Sequence, residues 1–268
     1  MKHIKILFIG DIFGQPGLKT VEKLLPALIK EHQIDFVIAQ GENTTGRKGL
    51  SLNDYQTMLN IGINAITMGN HIWANDEIFS FIENSNVIRP FNVSIDYPGL
   101  GSKEFKVNDI TLRVTSMMGR SFNTLLKPWN EEMADDFFDA VDLLLDANQA
   151  DFHFIDFHGE TTSEKNVFGL YCDGKVDAIC GTHTHVQTND ARVLPQGTCY
   201  ITDAGMTGPQ NCAIGANFEE VYKKMRYDAR EPFKVSDNLC QFNAVVIKLY
   251  EDKSLNKIKP INIMNINY

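Results

Sequence analysis

Five apolar runs in this chain each end at a cluster carrying a side chain able to bind a cation. Residues 4–9 run into Gly10-Asp11, residues 35–39 into Gly41-Glu42-Asn43, and residues 65–68 into Gly69-Asn70-His71. Residues 152–157 end at His158, and residues 176–179 at Cys180-Gly181-Thr182-His183-Thr184-His185. The length and β-branched content of these runs predict buried strands. Segments with helical spacing separate the first three. Leu18, Val21, Leu24, Leu25, Leu28 and Ile29 share one helical face, with Pro26 expected to kink or divide it. Ser51 is set to cap a helix carrying Leu52, Tyr55 and Leu59 and stopping near Gly62. Asn75 is set to cap another carrying Ile78, Phe79 and Ile82. Strand–helix alternation predicts a mostly parallel sheet covered by helices. In such a sheet ligands bind outside the carboxyl ends of the strands, so the five clusters are expected to meet at one edge.

The middle of the chain changes texture. Residues 105–107 and 110–114 read as two strands around the turn Asn108-Asp109. Residues 120–130 read as an irregular loop, and Asn130 as the cap of an acidic helix whose Met133, Phe137, Val141, Leu144 and Leu145 form a buried stripe. A helix is expected after Ser163, a strand over 199–202 ending in Asp203-Ala204-Gly205, and a helix over 217–227. Strands over 243–250 and 257–263 are expected to form a hairpin that completes a second sheet. There is no internal repeat or low-complexity linker, so residues 1–268 are read as one domain, with a small cap expected within about 72–130.

Charge and cysteine usage narrow the function. The net charge of −9, from 25 Lys+Arg against 34 Asp+Glu, disfavours long nucleic acid as a partner. The five cysteines form no C-x-x-C pair, which indicates neither a disulfide framework nor a thiolate zinc site. No apolar run approaches the ~18 residues of a membrane span, and the short run after Lys2, His3 and Lys5 does not make a signal peptide. No membrane partner is expected, and the expected location is cytoplasmic.

Each strand-end cluster has an ordinary explanation by itself: Asp11 and Asn43 as turn residues, His71 as a capped surface ring. His183 and His185, two apart, would point the same way in extended backbone and could simply be two hydrogen-bonded rings. Recurrence at five strand ends favours the joint reading. Two carboxylates (Asp11, Glu42), two amides (Asn43, Asn70) and three imidazoles (His158, His183, His185) exceed the ~4–6 positions of one ion and suit two. A set without thiolates favours Fe, Mn or Zn. Two such ions would leave a positive cavity in an acidic protein, suited to phosphate.

Gly10-Asp11, Gly41-Glu42-Asn43, Gly69-Asn70-His71, His158 and Gly181-Thr182-His183-Thr184-His185 resemble, in order, the metal motifs of the calcineurin-like metallophosphoesterases. Asp11-Ile12-Phe13 lacks the histidine of the usual Asp-x-His, and Gly41-Glu42-Asn43 replaces Gly-Asp-x-x-Asp/Asn. Both departures, with residues 156–165 and 202–209, resemble the bacterial YmdB-like branch, and the likeness runs from Gly10 to at least Gly215. The resemblance implies an α/β fold, a four-layer α/β/β/α sandwich of two mixed sheets flanked by helices. It also implies a phosphodiesterase with two metal ions, iron expected and manganese the alternative, acting on 2′,3′-cyclic nucleotides. Asp11, Glu42, Asn43 and His185 would hold one ion. Glu42 would bridge to a second held by Asn70, His158 and His183, and His71 would be the proton donor.

The expected reaction is in-line attack on a small phosphodiester by a hydroxide bridging the metals, with His71 protonating the leaving alkoxide. A phosphoprotein phosphatase shares the metal logic, but nothing in the sequence marks a peptide groove. A non-catalytic, metal-containing regulatory protein is the other alternative, which the complete ligand set and His71 disfavour. A dinucleotide module is weaker, since Gly10, Gly14 and Gly17 do not fit G-x-G-x-x-G. Arg47 and Lys48 read as a solvated loop, Ser163-Glu164-Lys165 as pocket wall, His153 as structural, and His3 and His32 as surface residues. A homo-oligomer stays open.

Overall fold

The computed structural model describes residues 2–147 and 150–268. The chain first lays down β1 (His3–Ile9), β2 (Asp11–Ile12), α1 (Gly14–His32), β3 (Phe36–Gln40), α2 (Leu52–Asn60), β4 (Ala65–Thr67) and β5 (Val87–Ile88). It then builds β6 (Ser102–Val107), β7 (Ile110–Met118), α3 (Phe137–Asp146), β8 (Phe152–His158), α4 (Thr162–Tyr171), β9 (Ala178–Thr182), β10 (Arg192–Val193) and β11 (Cys199–Ile201). It returns through β12 (Met206–Pro209), α5 (Phe218–Tyr227), β13 (Cys240–Tyr250) and β14 (Lys257–Ile266). One sheet of eight strands runs β2-β12-β13-β1-β3-β4-β5, with β14 beside β13, and a sheet of six runs β10-β11-β9-β8-β7-β6. Both are mixed: β1, β3, β4 and β5 are mutually parallel, as are β7, β8, β9 and β11, with antiparallel neighbours at β13, β6 and β10.

Strand periodicity places the core. On β1, Ile4, Ile6 and Phe8 enter the layer between the sheets, while Leu7 and Ile9 face the layer beneath α1 with Leu18, Val21 and Leu25. On β8, Phe152 and Phe154 face the other sheet, while Ile155 and Phe157 pack with Phe137 and Val141 of α3 and Phe168 of α4. Phe8 and Phe154 meet across the sheets with ring centroids 4.9 Å apart, both fully buried. Each such side chain contributes roughly 1.5–3 kcal/mol by burial. The result is the expected order of layers, helix, sheet, sheet, helix. Among the described residues no helix is long and apolar enough to cross a membrane.

Three local expectations are corrected. The C-terminal hairpin does not complete the second sheet: β13 pairs antiparallel with β1 over the whole of β1 and joins the first. The reason is that β13 is apolar on both faces, with Cys240, Phe242 and Ala244 toward α1 and Val245, Ile247 and Leu249 toward the other sheet. Such a strand belongs at the centre of a sheet. The acidic helix starts at Phe137, capped by Asp136 rather than Asn130, and Met133 is exposed. Asn75 does cap, accepting from Glu77 N–H at 3.0 Å, but the capped segment forms two short 3-10 turns broken at Phe81 (φ −134°) rather than an α-helix. Pro26 lies inside α1, which runs undivided to His32. Ser51 caps α2 as expected, accepting from Asp54 N–H at 3.2 Å.

Candidate metal centre at the strand ends

Close backbone approaches set the cluster. A Cβ on Gly10 would lie 2.1 Å from the carbonyl oxygen of Gly205, so only glycine lets the end of β1 lie against that loop and deliver Asp11. A Cβ on Gly69 would fall 2.2 Å from Cδ2 of His158, so the end of β4 passes directly over that ring before presenting Asn70 and His71. Asp11, Glu42 and Asn43 come from the first sheet and are buried, as are His158 and His185 from the second. All seven expected ligands, with His71, meet at one edge between the two sheets.

They form two abutting groups. Around His158 Nε2 lie Asn70 Oδ1 at 2.9 Å, His183 Nδ1 at 2.9 Å and Glu42 Oε1 at 3.1 Å. Asn43 Nδ2 lies 3.5 Å from Asp11 Oδ1 and 3.3 Å from His185 Nε2, which is itself 3.7 Å from Asp11 Oδ1. His71 lies alongside: its N–H donates to Glu42 Oε2 at 2.9 Å, and its Nδ1 is 3.0 Å from Asn43 Oδ1. The His183 N–H donates to Asp11 Oδ2 at 3.1 Å and ties the two groups together.

The backbone of the histidine pair is not extended. His183 has φ 98° and His185 φ 64°, so the expectation that two residues apart means one direction does not apply. These left-handed positions, costly for residues with a side chain, send the two rings into different groups.

Each of the rings of His158, His183 and His185 has a partner on the nitrogen facing away from the cluster. His158 Nδ1 is 3.0 Å from Thr182 Oγ1, whose hydroxyl donates to Asp156 Oδ1 at 2.6 Å. His183 Nε2 is 3.0 Å from Glu160 Oε2, and His185 Nδ1 is 3.0 Å from the carbonyl oxygen of Ile214. Each contact fixes a tautomer whose other nitrogen offers a lone pair inward. Glu160, Ile214 and Thr182 were not among the expected site residues: sequence adjacency does not say that the Thr182 hydroxyl serves His158 or that Glu160 serves His183, and a backbone carbonyl such as that of Ile214 leaves no mark in sequence. Behind the histidine loop, Asp203 Oδ2 accepts from Lys165 Nζ at 2.7 Å and from the Thr184 hydroxyl at 2.7 Å. His153 lies away from the cluster, buried and 2.8 Å from Thr115 Oγ1.

The electrostatics show a set of lone pairs short of positive charge. Burial pushes the Glu42 carboxyl up, but His158 and His71 outweigh it and hold it well below the usual carboxylate range. Burial pushes Asp11 up despite His185 and His158, and drives Asp156 to about 7. Burial lowers His158, but Glu42 more than reverses this and carries it to about 9. Burial and the neighbouring His158 hold His183 at about 3. In effect one proton on His158 serves several inward-facing acceptors. A divalent cation satisfies the same atoms better, and Glu42, His158 and His183 offer ligand atoms within 4.8 Å of one another. The residues fit a metal.

The cluster opens into a cavity of about 570 Å³ whose lining includes Glu42, Asn43, His71, His183 and His185. Arg47 and Lys48, in the loop after β3, line it too.

Two mixed sheets packed face to face, helices outside and a carboxylate–amide–imidazole cluster at the strand ends define a metallophosphoesterase. Residues 7–261 match the model of the YmdB-like protein family, and the chain belongs to that family. The 2′,3′-cyclic-nucleotide 2′-phosphodiesterase of Bacillus subtilis is 40% identical over 258 residues, covering 96% of this chain and 95% of its own. The crystal structure of a phosphatase from Mycoplasma pneumoniae superposes with a TM-score of 0.92 at 36% identity, covering 100% of this chain and 95% of its own. The crystal structure of a Thermus thermophilus protein gives a TM-score of 0.89 at 35% identity, covering 98% and 100%.

Proposed function

We propose that this chain is a metal-dependent phosphodiesterase that opens 2′,3′-cyclic nucleotides, with iron as the resident metal and manganese able to replace it. The observation that carries the reading is the pair of abutting ligand groups, Glu42 Oε1 lying 3.1 Å from His158 Nε2 in one and the adjacent Asn43 facing Asp11 and His185 in the other. Asp11, Glu42, Asn43 and His185 would hold one ion, and Glu42, Asn70, His158 and His183 the other. When bound, the ions would supply Lewis-acid activation of water and neutralise charge on the phosphoryl oxygens.

The protein's own side chains orient and move protons. Thr182, Glu160 and Ile214 hold the three ring tautomers. Trp129 Nε1–H donates to the Asn70 carbonyl at 2.8 Å, so the part of the 72–130 segment nearest the site braces the Asn70-His71 loop. Water adds its oxygen to phosphorus as the bond from phosphorus to ribose O2′ breaks. With Nδ1 turned to Asn43 and Glu42, His71 uses Nε2 to give O2′ the proton that leaves a nucleoside 3′-monophosphate. Such a donor is worth ~10²–10⁴-fold.

The test is metal analysis of purified protein together with turnover of adenosine 2′,3′-cyclic phosphate before and after chelation. About two ions per chain are expected, with activity lost on chelation and restored by Mn(II) or Fe(II). Less than about one ion per chain without rescue would overturn the reading.

A further inference from the structure

Beside the ligand cluster the cavity has a lining of different chemistry, formed by Phe13, Ile214, Val221, Met225 and Phe233. Met225 is 84% exposed and Ile214 55%, so apolar surface stands open beside the most polar cluster in the fold. Phosphoester hydrolysis alone gives no reason for such a wall. Arg47, also in the lining, lies over the Phe233 ring, its guanidinium 5.4 Å from the ring centroid. The cavity's volume, about 570 Å³, falls in the ~300–1,000 Å³ range of small-molecule sites.

An aromatic face with an arginine plane beside it is how proteins hold unstacked bases. We infer that this wall is a nucleobase subsite. The heterocycle lies against Phe233 and Met225 with Arg47 at its edge, while the cyclic phosphodiester reaches the ligand cluster. The inference rests on the phosphodiesterase reading above and adds what selects the substrate. Because any base offers a π-face, the subsite is tolerant of base identity and selects for the presence of a base.

The experiment compares kcat/KM for adenosine 2′,3′-cyclic phosphate and for glycerol 1,2-cyclic phosphate, which lacks a base, in wild type, Phe233→Ala and Met225→Ser. The wild type is expected to prefer the nucleotide. The nucleotide-to-glycerol ratio should fall ~10-fold in each variant, chiefly through KM. Met225 is on the surface, so its variant keeps the test valid if Phe233→Ala does not fold. Binding of adenosine 3′-monophosphate should weaken in the variants relative to inorganic phosphate. Turnover of both substrates with an unchanged ratio, or a wild type that prefers the base-free substrate, overturns the subsite and leaves the phosphodiesterase reading standing. Turnover of neither by metal-loaded wild type removes both.

Discussion

His185 Nδ1 lies 3.0 Å from the carbonyl oxygen of Ile214, and Ile214 holds φ 44° to put it there. The turn is closed by paired hydrogen bonds between Ala213 and Ala216 at 2.8 and 2.9 Å. A β-branched residue in the left-handed region costs roughly 1–2 kcal/mol, and strain of this kind gathers where a site needs a fixed geometry. Ile214→Asn, which tolerates that backbone, should raise stability by up to ~1 kcal/mol and lower preference for the nucleotide substrate. Urea unfolding measures the first effect; a lowered midpoint would count against strain at this residue.

His71 separates chemistry from metal binding. His71→Ala should depress turnover ~10²–10⁴-fold with metal content unchanged. Atomic absorption on the variant is the deciding measurement, because lost metal would make His71 a ligand rather than the acid.

Glu160 holds the outer nitrogen of His183 at 3.0 Å from a half-exposed position. Glu160→Ala frees that ring to adopt either tautomer. Metal binding should weaken ~10–100-fold while the metal-free unfolding midpoint stays in place. Calorimetric titration with Mn(II) gives the answer, and unaltered affinity would rule out the tautomer role.

Burial, with smaller contributions from Arg113 and Lys253, holds the His153 imidazole at about 3. Unfolded, it titrates near 6.5. The folded state resists the proton, so the stability this ring contributes is full above pH 6.5 and is lost as pH falls toward 3. The loss is about 1.4 kcal/mol per pH unit. His153→Gln should flatten the stability–pH profile by about one proton over that window. Profiles of equal slope would contradict the buried neutral ring.

The meeting of these side chains was legible because parallel strands place their carboxyl ends together and each end carried its own glycine and polar side chain. The sandwich followed from the family likeness, and the strand–helix alternation agreed with it. Pairing between distant strands was not legible: nothing near Cys240 says that its strand lies against His3–Ile9, and the hairpin's short-range signal suggested a separate sheet. The start of α3 was obscured by several acidic and amide residues before Phe137, each a plausible cap. The outer partners of the histidines escaped notice because positive φ at His183, His185 and Ile214 aims groups in directions that a strand-based reading does not supply.

The register that sets β1 beside β13, from His3 against Tyr250 to Ile9 against Ala244, also concerns how the protein is made. At synthesis rates of roughly 5–20 residues per second, the second strand follows the first by roughly 10–50 s. Through that interval the nascent chain carries an apolar strand with one hydrogen-bonding edge open, and Asp11 waits beside it for histidines still to be translated. Closure of that edge is a late event, and through the interval before it the edge stays open to edge-to-edge aggregation.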